Sequence, residues 1–186
     1  MMRAAQRLFL WTGIAVLAYA GGMTAYSEAY QRYQSREFDK VISSGGPEAA
    51  DLHEGDVVGK LEIPRIELSV VIFQGAEEST LRVGAGHVPG TPLPGAGGNV
   101  AIAAHRDTYF RKLKDIEPGD KIRVSLALRT FEYVVESTET VDPQDTRAME
   151  SHAGEELTLI TCFPFYYVGS APKRFIVHAV IAVQKP

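Results

Sequence analysis

The sequence predicts an all-β domain of seven or eight short strands, a barrel or a sandwich, behind one apolar N-terminal helix. Three observations predict it. Short β-branched and aromatic runs recur through residues 57–186 and are separated by turn formers. A single uncharged stretch, residues 8–27, stands apart near the N-terminus. The length of 186 residues suits one ordinary domain with an appendage rather than two cores.

Composition narrows the function classes. Against 23 Asp plus Glu there are 19 Lys plus Arg, a net charge of −4. Nucleic-acid binders usually carry a basic surplus, so no nucleic-acid partner is expected. At 45% hydrophobic and 23% charged, the chain is globular rather than disordered. A mean hydropathy of −0.06 excludes a polytopic membrane protein and leaves room for one span. One Cys excludes an internal disulfide framework and a Cys-rich metal site.

The first element is the run LFLWTGIAVLAYAGGMTAYS, residues 8–27, preceded by Arg3 and Arg7 and followed by Glu28. As a helix it is about 30 Å long, roughly one hydrocarbon core. Trp11 and Tyr26 stand near its ends, where interfacial aromatics are favoured. An uncleaved signal anchor fits, and so does a signal peptide cut after Ala18-Tyr19-Ala20. The anchor is the reading adopted, because apolar character continues past Ala20 to Tyr26. Residues 1–27 are then a cytoplasmic tail and transmembrane anchor, with everything beyond exported. Basic residues on both sides of the run leave the positive-inside rule indecisive.

Residues 28–56 read as a solvated stalk. Between 27 and 56 lie three basic and seven acidic residues, and Ser43-Ser44-Gly45-Gly46-Pro47 breaks any helix. Residues 57–186 form the folded domain. Strands are expected over 57–63, 66–73, 99–105, 121–126, 130–137, 157–162 and 175–183, with helical turns near 78–83, 109–114 and 144–150. The stretch 84–98 holds six Gly and three Pro. It lacks the Gly-Lys-Ser/Thr of a phosphate loop and is expected to be a long connection across the barrel.

A lone Cys in an exported domain is either buried and inert or kept because it reacts. Cys162 closes an apolar strand and is followed by Phe163-Pro164, where a strand should stop. That places the thiol where a rigid element hands over to a loop. A Cys nucleophile needs a proton partner. Of five His, His53 lies in the stalk, His87 in the Gly/Pro stretch, His152 in a polar stretch and His178 inside the last strand. His105 also ends an apolar strand, before Arg106-Asp107. It can face Cys162 if the two strands are neighbours.

Thr158-Leu159-Ile160-Thr161-Cys162 resembles the T-L-x-T-C signature of sortases, the cysteine transpeptidases that attach proteins to cell-envelope acceptors. Residues 98–108, GNVAIAAHRDT, resemble the strand that carries the sortase histidine, in its class D form. Residues 171–177, APKRFIV, resemble the strand start that carries the sortase arginine. The order His105, Cys162, Arg174 fits, and the resemblance spans about 57–183. Ala104 departs from the pattern, which has Gly before the His. Lys173 stands beside Arg174, but the motif and the planar guanidinium favour Arg174 as the cation.

This resemblance implies a closed seven- or eight-stranded β-barrel with short helices. It implies a catalytic set of Cys162, His105 and Arg174, with Ala104, Thr161 and Tyr166 along the substrate groove. Thiolate Cys162 attacks a backbone carbonyl of a sorting motif, Arg174 holds the oxyanion, and imidazolium His105 protonates the leaving amine. The implied partners are exported proteins with a C-terminal sorting motif and an amine acceptor of peptidoglycan or pilin type. The implied place is the cytoplasmic membrane, single-pass, with the catalytic domain outside. No cofactor is implied. Asp142, Asp145, Glu150 and Glu155 lack the spacing of a Ca²⁺ loop, so no metal is expected. The aromatics of Phe163-Pro164-Phe165-Tyr166-Tyr167-Val168 either wall a peptide groove or pack their loop onto the barrel. Two other functions stay open on sequence: a thiol endopeptidase of the same fold with water as acceptor, and a non-catalytic β-barrel binding module on a membrane stalk.

Overall fold

A computed structural model of the chain describes residues 6–7, 9–22, 25–26, 29, 33, 52–127, 129–150, 154–167 and 169–182. Its strands are β1 (Val57–Ile63), β2 (Leu68–Gln74), β3 (Ala85–His87), β4 (Gly98–Ala103), β5 (Lys121–Ser125), β6 (Thr130–Val141), β7 (Glu155–Phe163) and β8 (Lys173–Ile181). They close into one barrel in the order β1-β2-β3-β4-β7-β8-β6-β5. Closure decides between barrel and sandwich and removes free sheet edges. The pairs β2–β3 and β4–β7 are parallel, and the others are antiparallel.

Alternation fills the barrel. Successive side chains point to opposite faces, so one register row supplies the same face of every strand. Val100 pairs with Leu157 and Leu157 with Ala179; Ile102 pairs with Leu159 and Leu159 with Val177. Leu61 pairs with Val70 and Val124, and Ile122 with Tyr133. All of these are buried in one apolar cluster. Each such side chain contributes about 1.5–3 kcal/mol by leaving water.

Where strand limits differ from expectation, pairing outweighs pattern. The Gly/Pro stretch holds a strand, β3, between β2 and β4. Ala-Gly-His carries no β-branched signal, and its Gly serves close approach: a Cβ on Gly86 would lie 2.2 Å from the Gly75 carbonyl oxygen. β6 continues four residues past Ser137, through largely exposed positions, because β8 pairs with it as far as Val141. β7 continues through Phe163, which pairs with Lys173, so Pro164 ends the strand one residue later than expected. Short helical turns form at Glu78–Leu81, Arg111–Asp115 and Arg147–Met149.

Residues 9–22 are helical. Residues 6–7, 25–26, 29 and 33 are helical as well. Among the described residues no helix is long and apolar enough to cross a membrane. Leu8, Met23, Thr24 and Ser27 of the expected span, most of the expected stalk, and His152 lie outside the described residues. The end of that stalk lies on the barrel: Leu52 packs against the core, and the Gly55 N–H donates to the Gln74 carbonyl at 2.8 Å.

The barrel bottom is tied by a charge. The buried Asp120 carboxylate accepts from Arg65 Nε and Nη2 and from the Glu117 N–H. Arg65 holds the Asp120 carboxyl below its usual range. A folded-state pKa below the unfolded value gives stability that is present above the unfolded value and lost as pH falls through the folded one. Asp120→Asn is therefore expected to cost about 2–3 kcal/mol at neutral pH. The cost should shrink below about pH 4, where the carboxyl protonates on unfolding. Urea unfolding of both proteins at pH 7 and pH 3 measures it.

Candidate active site

The strand T-L-I-T-C divides its side chains between two faces. Leu159 points into the core cluster. Thr161 shares that parity, is 2% exposed, and donates its hydroxyl to the Ala104 carbonyl at 2.7 Å. Thr158, on the outer face, bonds the Ala148 carbonyl and Asn99 Oδ1 and so fastens the Arg147–Met149 turn to the sheet. Cys162 shares the outer face with Thr158 and Ile160 and is a partly accessible free thiol.

Register sets what stands beside it. Cys162 on β7 pairs with Arg174 on β8. On the other side β4 runs parallel to β7, with Ala103 opposite Ile160, and the Ala104 N–H continues the ladder to the Ile160 carbonyl at 3.1 Å. His105 follows two residues past Ala103, beyond the end of β4, and the same register carried on would set it level with Cys162. On that continuation His105, Cys162 and Arg174 form a row, with paired strands about 5 Å apart. β4 and β7 meet here in parallel although residues 104–154 separate them in the chain.

The charges around the row are asymmetric. Lys173 Nζ donates to Asp142 Oδ1 at 2.7 Å, so that cation is paired away from the thiol. Arg174 donates from Nη1 to the Lys173 carbonyl at 3.3 Å and has no carboxylate partner among the described residues. Its guanidinium remains available to a ligand. The His105 side chain is 32% exposed, and its Nε2 lies 3.8 Å from Glu78 Oε2. Glu78 carries no motif signal, and the sequence offers no route to it.

The other candidates separate. His87 is buried, with Nδ1 2.9 Å from Gln74 Oε1 and Nε2 3.1 Å from the Pro92 carbonyl oxygen. Burial pushes its imidazole below the usual range, and both ring nitrogens are taken up within the fold. His178 bonds Glu139 at 2.9 Å and pairs with Thr158, four residues along β7 from Cys162. His53 is exposed beside Asp56. Among the described residues no group of three or more His, Cys, Asp or Glu is placed to hold a metal.

One expectation is corrected. Ala104 and Thr161 were expected on the substrate groove, yet they are 4% and 2% exposed and present no surface to a peptide. Their role is positional: the buried Thr161 hydroxyl holds the carbonyl that precedes His105. Thr161→Val keeps the shape and orphans that carbonyl, at about 1–3 kcal/mol in stability. Displacement of His105 should also lower peptide-cleavage efficiency by roughly 10-fold, since small misplacements weigh heavily on reacting geometry. Thermal unfolding and steady-state kinetics on the variant check both. The aromatic loop divides between its two alternatives. Phe163, Phe165 and Phe175 form an edge-and-stack cluster with centroids 5.2–6.2 Å apart. Tyr166 and Tyr167 are exposed.

Fold and register together define a class: an eight-stranded barrel with a partly accessible thiol on one strand paired with an arginine on the next. A family model for the sortase domain matches residues 61–182, and the chain belongs to the sortase family. It is 40% identical over 125 residues to sortase D of Bacillus subtilis (strain 168), a match covering 67% of this chain and 63% of that protein. Sortase A of Bacillus anthracis is 30% identical over 132 residues, covering 69% of this chain and 61% of that one. The matches thus span somewhat over three-fifths of the length of these curated relatives. Among solved structures, sortase A from Corynebacterium diphtheriae superposes with a TM-score of 0.66 at 31% identity, covering 72% of this chain and 64% of that one. A Clostridium perfringens sortase D5 transpeptidase shares the fold, with a TM-score of 0.69 at 22% identity over 84% of this chain and 98% of that one.

Proposed function

We propose that this chain is a class D-like cysteine transpeptidase that cuts a sorting motif in exported proteins and transfers the acyl group to an amine. The observation that carries it is the pairing of Cys162 with Arg174 at the ends of β7 and β8, with the thiol partly accessible and the strand that leads to His105 running beside β7. Membership of the sortase family supports the same reading.

In the proposed reaction the Cys162 thiolate attacks the scissile carbonyl, and the Arg174 guanidinium donates to the developing oxyanion. The C–N bond breaks as His105 gives its proton to the leaving amine, which leaves a thioester on Cys162. An incoming amine then passes a proton to neutral His105, attacks the thioester and releases the thiolate. The same steps with water give hydrolysis. The full chain in detergent, a fluorogenic peptide carrying a C-terminal sorting motif, and a graded amine separate the two. Transfer product that grows at the expense of acid product supports the transpeptidase. Acid product alone at every amine concentration makes the chain an endopeptidase. If Cys162 resists alkylation in the folded chain, the barrel is a binding module.

The proposal includes anchoring by residues 8–27 in the cytoplasmic membrane, with the barrel outside, supported by the uncharged run and its aromatic ends. The chain should then resist carbonate extraction and be digested by external protease. A soluble form beginning at Gly21 would replace the anchor with a cleaved signal.

A further inference from the structure

Arg106 follows His105 directly, yet its guanidinium reaches the loop between β7 and β8. Nη2 donates to the Tyr167 carbonyl at 2.9 Å and to the Gly169 carbonyl at 3.2 Å. The same guanidinium lies 5.7 Å from the centre of the Tyr167 ring. Nη1 is buried and has no acceptor among the described residues.

The loop it holds joins Cys162 to Arg174. It also carries Tyr166 and Tyr167, 74% and 49% exposed. From residue 52 onward these are the only exposed large apolar side chains among the described residues. Two aromatic rings held open to solvent need a tie, because free rings would settle on the nearest apolar surface. Arg106 supplies that tie from the segment that also presents His105. A planar guanidinium can reach two carbonyls and face a ring at once, which a lysine ammonium cannot.

We propose that Arg106 is a positioning residue for the substrate peptide: it latches the β7–β8 loop so that Tyr166 and Tyr167 wall the groove. The recognised ligand is an extended peptide, and the proposal rests on the transpeptidase function above. Its effect belongs to binding rather than to bond making, since Arg106 touches neither the thiol nor the leaving group.

The full chain and its Arg106→Ala and Arg106→Lys variants are compared in three measurements. For the peptide, KM should rise by roughly 10-fold or more in both variants with kcat within about 3-fold, the signature of lost binding. Alkylation of Cys162 by iodoacetamide should keep its wild-type rate. Chymotrypsin should cut after Tyr166 or Tyr167 roughly 10-fold faster, at unchanged melting temperature, because local opening governs such cleavage. Restoration of wild-type KM by Arg106→Lys overturns the proposal, as does a loss confined to kcat with slowed alkylation. An unchanged chymotrypsin rate overturns the latch even if no peptide is turned over. A wild-type chain that transfers no acyl group, with the protease effect intact, would instead retire the transpeptidase function.

Discussion

Cys162→Ala is expected to abolish peptide cleavage while the barrel stays folded. The thiol is partly accessible at the end of a nine-residue strand and is not a core side chain. Removing its sulfur therefore leaves the apolar cluster intact, and the melting temperature should move little. Every proposed step passes through the sulfur, so no residual route remains. Cys162→Ser should be nearly as inactive, because a hydroxyl is a poor nucleophile unless a strong base activates it. Near-wild-type turnover by either variant would end the thioacyl account.

His105 and Arg174 flank the same thiol and should fail differently. His105→Ala removes the proton donor to the leaving amine, a contribution of roughly 10²–10⁴ in rate. Arg174→Lys keeps the charge and loses the fork, and loss of an oxyanion donor costs roughly 10²–10³ in turnover. Lys173→Ala is the matched control. Its ammonium is held by Asp142, and it stands opposite Phe163 rather than Cys162. It should retain most activity. Peptide-cleavage rates for the three variants, with circular dichroism to check folding, give the comparison. A dead Lys173→Ala with an active Arg174→Lys would reverse the assignment of the cation. Full activity in His105→Ala would dissolve the row.

Much of this was legible in the sequence because strand pattern and motif agree. Leu157, Leu159 and Thr161 alternate against Thr158, Ile160 and Cys162, and the barrel uses both faces of that alternation. β3 was not legible. Three residues of Ala, Gly and His carry no periodic signal, and only the neighbours on both sides make them a strand. The last four residues of β6 were missed for a related reason: their side chains are largely exposed, so hydrophobic patterning stops where backbone pairing with β8 continues.

At the candidate site, the motif residues are legible in the sequence and their contacts are not. Thr161 belongs to the motif, but only the structure shows its hydroxyl on the Ala104 carbonyl. A one-residue step along a strand turns a side chain from groove to core, and this is why Ala104 and Thr161 fall inside. Glu78 and Arg106 reach the site by long-range contacts, 27 and 61 residues apart in sequence, to His105 and Tyr167. No local spacing encodes such approaches.

The central claim is a thioester on Cys162, and intact-mass spectrometry of the full chain after brief incubation with a sorting-motif peptide reads it directly. The account predicts a mass increase equal to the acyl portion of the peptide, mapped by digestion to Cys162, released by hydroxylamine and absent from Cys162→Ala. An adduct on another residue, or peptide cleavage at the wild-type rate by Cys162→Ala, would contradict it.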